Sequence, residues 1–212
     1  MSKKRRSSSQ NWLQEYHSDV YVKKANCEGY RSRAVYKLAQ IDARDRLFYS
    51  NMTVIDLGAA PGGWSQWVKQ RLHSQVNLFA LDIQLMDPLP DVTFLQGDFR
   101  EQTILDELIH QLGNRKANIV MSDMAPNITG IKDVDQSRVM LLAELARDFA
   151  YDVLEAQGHF LTKVFQGEGF DSYIKELRPY FKQVLIRKPK ASRTRSSEVY
   201  VLAKHYNEEK WK

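Results

Sequence analysis

Cysteine is nearly absent from this 212-residue chain. Cys27 stands alone, so no internal disulfide can form, and no Cys/His cluster has zinc spacing. Stability must therefore come from an apolar core, and a reducing, cytoplasm-like compartment is expected. No stretch approaches the roughly 18 to 20 uninterrupted apolar residues of a membrane helix. The first residues, MSKKRRSSSQNW, have a charged start without the apolar segment of a secretory signal. Internal repeats are lacking too. What is present is ordinary for a globular protein: 43% apolar and 27% charged residues exclude a disordered, collagenous or coiled-coil chain. At about 150 residues per domain, one domain with its own core is expected, and a monomer is the default.

The net charge of +5 is unevenly spread. Residues 1–50 carry eleven Lys/Arg against five Asp/Glu, and the remainder twenty against twenty-one. A second basic cluster, Lys182, Arg187, Lys188, Lys190, Arg193 and Arg195, has no acid within it. Two basic segments around a near-neutral body suit a polyanion gripped from two sides, although a basic face can equally be solvated surface.

The first ten residues, mostly Lys, Arg and Ser, cannot bury surface and read as an arm that RNA would order. From Ser32, the spacing of Val35, Leu38, Ile41 and Leu47 predicts a helix, with Lys37 on it. Short apolar runs then alternate with helical segments. Strands are expected over 52–58, 76–83, 92–98, 117–124 and 159–165, and helices over 64–73, 101–112, 135–156 and 170–181. Two final strands, QVLIRKP and EVYVLAKHY, have no helix between them and suit an antiparallel hairpin. Continuous apolar strands separated by helices imply an α/β, doubly wound, mostly parallel sheet covered on both faces.

The first strand runs into Asp56-Leu57-Gly58-Ala59-Ala60-Pro61-Gly62-Gly63-Trp64. Small residues at the carboxyl end of a first strand let a ligand approach the backbone. The nicotinamide pattern G-x-G-x-x-G fails at Ala60, and a Walker loop lacks its lysine, so phosphate readings are weakened. A ligand joining an amino acid to adenosine fits better. Asp56 lies near the loop, Asp82 ends the second strand where a carboxylate meets ribose hydroxyls, and Asp98 ends the third, where one meets an adenine amino group. Any one of these acids is as readily a turn or helix cap. Together, behind a glycine-rich loop, they point to S-adenosylmethionine (SAM).

Four further polar residues break the pattern: Asp123 ends the fourth strand, Lys163 interrupts FLTKVF, Glu198 starts the last strand, and Lys37 lies on the early helix. A lysine inside a buried strand is expensive unless paired, though a strand-end lysine can snorkel. With Asp123 on the adjacent strand, the group suits methyl transfer to a hydroxyl. Lys163 would act as base or steer the lone pair of the hydroxyl, with Asp123 and Glu198 orienting the lysines.

The segments RSRAVYKL (31–38), MTVIDLGAAPGGWSQ (52–66), FLQGDFR (94–100), VMSDMAPN (120–127), KVFQGEGFD (163–171) and RKPKASRTRSSEVY (187–200) resemble the FtsJ-like family of RNA 2′-O-methyltransferases across nearly the whole chain. The resemblance implies a Rossmann-like SAM-dependent methyltransferase fold over 31–206, between a basic, partly disordered arm (1–30) and a charged tail (207–212). It places a Lys-Asp-Lys-Glu tetrad on Lys37, Asp123, Lys163 and Glu198. SAM contacts fall on Gly62, Trp64, Asp82, Asp98 and Asp123, to which the residue pattern adds Asp56 and Gly58. The family methylates a ribose 2′-OH, and its members most like this chain act on the A-loop uridine of 23S rRNA within the large (50S) ribosomal subunit. Arg31, Arg33, Arg187, Lys188, Lys190, Arg193 and Arg195 would then hold RNA phosphates. Two places depart from the family pattern: Glu155-Ala156-Gln157-Gly158, where Pro-Gly is expected, and the tail KHYNEEKWK. Amino-group methyltransferases, which place an aromatic residue after Asp/Asn-Pro-Pro, fit poorly at Asp123-Met124-Ala125-Pro126. A ribosome-assembly factor with a relic pocket would have no chemical reason to keep a buried lysine. A cap-type 2′-O-methyltransferase shares the tetrad.

Overall fold

The computed structural model describes residues 19–73 and 75–211. Strand β1 (Met52–Leu57) is buried at all six positions, as a strand covered on both faces must be. It pairs in parallel with β2 (Val76–Asp82) on one side and β4 (Ala117–Ser122) on the other. With β3 (Val92–Gln96), β5 (Leu154–Phe165), β6 (Phe181–Arg187) and β7 (Glu198–Tyr206), they make a seven-stranded sheet in the order β3-β2-β1-β4-β5-β7-β6. The expected closing hairpin is present inside the sheet: β7 lies between β5 and β6 and is antiparallel to both. Strand order reverses between β1 and β4, and doubly wound sheets hold ligands at that point.

Alternation along each strand sorts side chains between two layers. Ile55, Leu57, Val120, Phe160, Val164 and Val201 face helices α4 (Gln102–Leu112), α5 (Lys132–Val153) and α6 (Phe170–Leu177). Val54, Ile119, Met121, Leu161, Tyr200 and Leu202 face α2 (Val35–Asp45), which contributes Leu38 and Ile41, and α3 (Gly63–Arg71), which contributes Trp64 and Val68. By that parity Asp123, Lys163 and Glu198 belong to the second face, beneath the helix that carries Lys37.

Three boundaries differ from expectation. Of the arm drawn over 1–30, residues 1–18 lie outside the described residues, whereas Val20–Glu28 form helix α1. Asp19 caps it by accepting from Tyr21 N–H, and Val22 and Ala25 are buried, Ala25 against Val35, Tyr36 and Ala191. So narrow an apolar stripe gives little periodic signal. Helix α5 spans 132–153, not 135–156, and β5 begins at Leu154. The Glu155–Gly158 segment is an irregularity where the β4–β5 register shifts, with Gln157 at φ 68° and the Asn118 amide donating to the Glu155 carboxylate. A bulge therefore stands where a Pro-Gly turn was expected. Helix α6 stops at Leu177, and the segment Phe181–Arg187 is strand. Among the described residues, no helix is long and apolar enough to cross a membrane.

Candidate active site

The sheet brings the four unexpected polar residues together. Lys163 is only 7% exposed and sits opposite Tyr200 in the β5–β7 register, two residues before the Phe165–Glu198 pair. Its Nζ lies 3.0 Å from Asp123 Oδ1 and donates to the Asp123 main-chain oxygen at 2.5 Å. Lys37 reaches down from α2, with Nζ 2.9 and 3.0 Å from the two Glu198 oxygens and 3.9 Å from Asp123 Oδ1. The buried lysine is thus paired, which removes the main cost of placing it in a strand.

Two side chains that the sequence reading did not single out complete the group. Tyr200 hydroxyl donates to Asp123 Oδ1 at 2.6 Å, and Ser192 hydroxyl donates to Glu198 Oε1 at 2.7 Å. Burial pushes the Asp123 carboxyl up. The Lys163 and Lys37 charges and the hydrogen bonds from Tyr200 and Lys163 outweigh that effect and hold it below the usual carboxylate range. Burial also raises the Tyr200 phenol well above its ordinary value, so it remains a neutral donor. The signal for Tyr200 was available: it lies two residues from Glu198 and therefore on the same strand face.

Beside this group, a cleft of about 530 Å³ opens at the carboxyl ends of β1 to β4. Gly58, Asp82, Asp98 and Asp123 line it, as expected. Gly58 has φ 75°, and a Cβ there would lie 2.6 Å from the Met124 side chain, so only glycine lets the loops after β1 and β4 meet. Asp82 accepts from Ala60 N–H at 2.9 Å and Gln84 N–H at 2.8 Å, which fixes its carboxylate at the rim with acceptor capacity to spare. Asp98 is gripped by the Arg100 guanidinium, whose hydrogen bonds bring its carboxyl down to about 2.

Three expected cofactor residues do not line the cleft. Trp64 is 3% exposed, and its indole N–H donates to Ala34 carbonyl while its ring packs 5.8 Å from that of Tyr200, so it supports the site from behind. Gly62 is buried at the start of α3, where a Cβ would meet Met86 and Arg31. Asp56 is buried beneath the loop, takes a 2.6 Å hydrogen bond from Ser65 hydroxyl at Oδ2, and has no partner at Oδ1. Burial pushes its carboxyl up to about 7 against the opposing hydrogen bond. Rim acceptors at the end of β2 and just after β3, with side-chain-free backbone at Gly58 and Gly97, fit the amino-acid nucleoside SAM.

The expected phosphate contacts prove more structural than their charge suggested. Arg31 donates to the carbonyls of Pro61, Asp87 and Pro88, tying the glycine loop to the loop after β2. Arg33 bonds Asp19 and the Ala191 carbonyl, and Arg187 makes a two-point pair with Asp45 at 2.6 and 2.7 Å. Lys188 donates to the Ser196 and Glu198 carbonyls. These four hold the β6–β7 loop and the glycine loop in place, and most of their hydrogen-bonding capacity is turned inward. Lys190 and Arg195 are exposed on that loop, with Arg193 half-buried between them.

Comparison with known proteins agrees with this geometry. Residues 30–206 match the family model described as FtsJ-like methyltransferase. Curated relatives named Ribosomal RNA large subunit methyltransferase E include one from Legionella pneumophila (strain Paris), 53% identical over 96% of this chain and 98% of its own. Another, from Dichelobacter nodosus (strain VCS1703A), is 56% identical over 95% and 97%. A Plasmodium falciparum protein assigned as a ribosomal RNA methyltransferase has a crystal structure matching at TM-score 0.76 and 27% identity, covering 84% of this chain and 98% of its own. Human methyltransferase-like protein 13, solved in complex with SAH, shares the fold at TM-score 0.54 and 14% identity, covering 83% and 82%. The family match runs from Tyr30 to Tyr206, through every element that carries the cleft and the tetrad, and so the chain belongs to the FtsJ-like methyltransferase family.

Proposed function

We propose that the protein transfers a methyl group from SAM to a ribose 2′-hydroxyl of large-subunit ribosomal RNA, with the A-loop uridine of 23S rRNA as target. The observation that carries this reading is the buried Lys163–Asp123 pair, braced by Lys37 and Glu198, at the edge of the cofactor cleft. When bound, SAM supplies an electrophilic methyl group. Asp82 would hold its ribose hydroxyls and Asp98 its adenine amino group.

A hydroxyl is a weak nucleophile that must be aimed and must lose its proton. Asp123 occupies two of the positions around Lys163 Nζ, one through its main-chain oxygen and one through Oδ1, and the third meets the substrate hydroxyl. When that third position is the lone pair, it takes the hydroxyl proton as the O–CH3 bond forms and the S–CH3 bond breaks, and the ammonium so made lies 3.0 Å from a carboxylate that Tyr200 and Lys37 keep ionised. Lys37, locked to Glu198, adds positive charge on the same side without competing for the proton. The name shared by the relatives supports an rRNA substrate. The exposed Lys190 and Arg195, with Arg193, would meet RNA phosphates beside Glu198.

The experiment is transfer of labelled methyl from SAM to large ribosomal subunits lacking 2′-O-methylation, followed by nuclease digestion. A labelled 2′-O-methyluridine from the A-loop supports the reading, whereas label on a base, or no label on any ribosomal particle, contradicts it.

A further inference from the structure

One turn into helix α5 come two consecutive polar side chains that are both buried, Asp135 at 7% and Gln136 at 8% exposure. Neither touches the tetrad, and each closes on a different loop. Asp135 Oδ1 accepts from the N–H and hydroxyl of Thr129, both at 2.7 Å, and Oδ2 accepts from Gly130 N–H at 2.9 Å. Those bonds pin the far end of the loop that starts at Asp123 and lines the cleft with Met124–Asn127. Gln136 Nε2 donates to the carbonyls of Phe165 at 3.1 Å and Glu168 at 2.8 Å, holding the loop that leaves β5 two residues after Lys163. That loop passes so close that a Cβ on Gly167 would lie 2.9 Å from the Gln136 amide. Gln166 N–H in turn bonds the Ser197 carbonyl at 3.0 Å, next to Glu198.

We infer that Asp135 and Gln136 are positioning residues for methyl transfer: one turn of α5 grips the loops after β4 and β5 and thereby sets Asp123 and Lys163 at their working separation. This rests on the function proposed above, because it assigns the pair to that chemistry. The two residues have different tasks. Asp135 acts on the cofactor wall through Met124–Asn127, and Gln136 acts on the lysine strand and its register with Glu198.

The test uses Gln136→Glu, which keeps the shape and replaces the donor facing two carbonyls by an acceptor, and Asp135→Asn. Single-turnover methyl transfer, affinity for S-adenosylhomocysteine by calorimetry, and amide hydrogen exchange are measured on the full chain. Gln136→Glu lowers the transfer rate about 100-fold, as a misplacement near 1 Å does, with affinity unchanged within about twofold. Exchange rises over residues 165–169. Asp135→Asn weakens S-adenosylhomocysteine binding about tenfold and raises exchange over 124–131, with a smaller effect on rate at saturating cofactor. Gln136→Asn, which retains a shorter amide donor, recovers part of the lost rate. A purely structural role predicts lower melting temperatures with parental rate and affinity in the folded protein, and that result overturns the inference. If the parent itself transfers nothing to ribosomal RNA, the proposed function fails. The positioning role is then decided by exchange and S-adenosylhomocysteine affinity, and parental values for both in both variants overturn it.

Discussion

At the scale of single residues, the site depends on one carboxylate oxygen. Asp123 Oδ1 receives Tyr200 at 2.6 Å and Lys163 at 3.0 Å, with Lys37 at 3.9 Å. Removing the phenol should therefore be felt in both stability and rate. Tyr200→Phe is expected to lose about 1.5 to 3 kcal/mol in a denaturant melt, the range for hydrogen bonds to charged groups, while S-adenosylhomocysteine affinity stays at the parental value. A melt unchanged from the parent would show that Asp123 is oriented by the lysines alone. The sequence marked Asp82, Asp98, Asp123, Lys163 and Glu198 because each is a charge at a strand end or within an apolar run, and Lys37 only as a lysine on the early helix; the structure brings Lys37, Asp123, Lys163 and Glu198 together. Tyr200 offered only its parity with Glu198, which a tyrosine among apolar residues masks, and Ser192, a serine in a polar loop, offered no signal. For Arg31, Arg33 and Arg187, sequence shows the charge but not the carbonyls and carboxylates that it also engages.

At the scale of elements, the order of strands and helices followed from apolar periodicity, and the errors lie where tertiary contacts replace it. Helix α1 buries only Val22 and Ala25, and the Glu155–Gly158 bulge exists because β5 changes register against β4. The position of Lys37 depends on how α2 sits on the sheet. Leu38, wholly buried next to it, anchors that helix. Leu38→Ala should cost about 2 to 5 kcal/mol in unfolding and, by loosening α2, reduce transfer more than cofactor binding. Gly58→Ala should have the opposite profile. Its positive φ and the 2.6 Å approach to Met124 make any Cβ push the loop after β4, so S-adenosylhomocysteine affinity should fall about tenfold or more. Parental affinity in Gly58→Ala would contradict binding of the cofactor in this cleft.

At the scale of the whole molecule, the half-buried His159 and the buried Asp56 give stability a pH dependence with opposing signs. Burial holds His159 down to about 4, so it binds a proton more weakly folded than unfolded. Its contribution is complete above the ordinary histidine value of about 6.5 and is lost as pH falls toward 4. Asp56, raised to about 7, behaves inversely: its contribution is complete below about 3.9 and is lost as pH rises through 7. Between pH 4 and 6.5 the two slopes offset each other in the parent. His159→Asn should therefore lose melting temperature as pH rises across that window, and Asp56→Asn should gain it. Identical profiles for the two variants would refute the assignment. The most direct test of the catalytic account compares Lys163→Ala with the parent, measuring methyl transfer to large ribosomal subunits alongside S-adenosylhomocysteine affinity. The account predicts that transfer is abolished while affinity remains at the parental level, because Lys163 would face the hydroxyl in the proposed reaction and does not line the cofactor cleft. Transfer at a comparable rate by Lys163→Ala would contradict it.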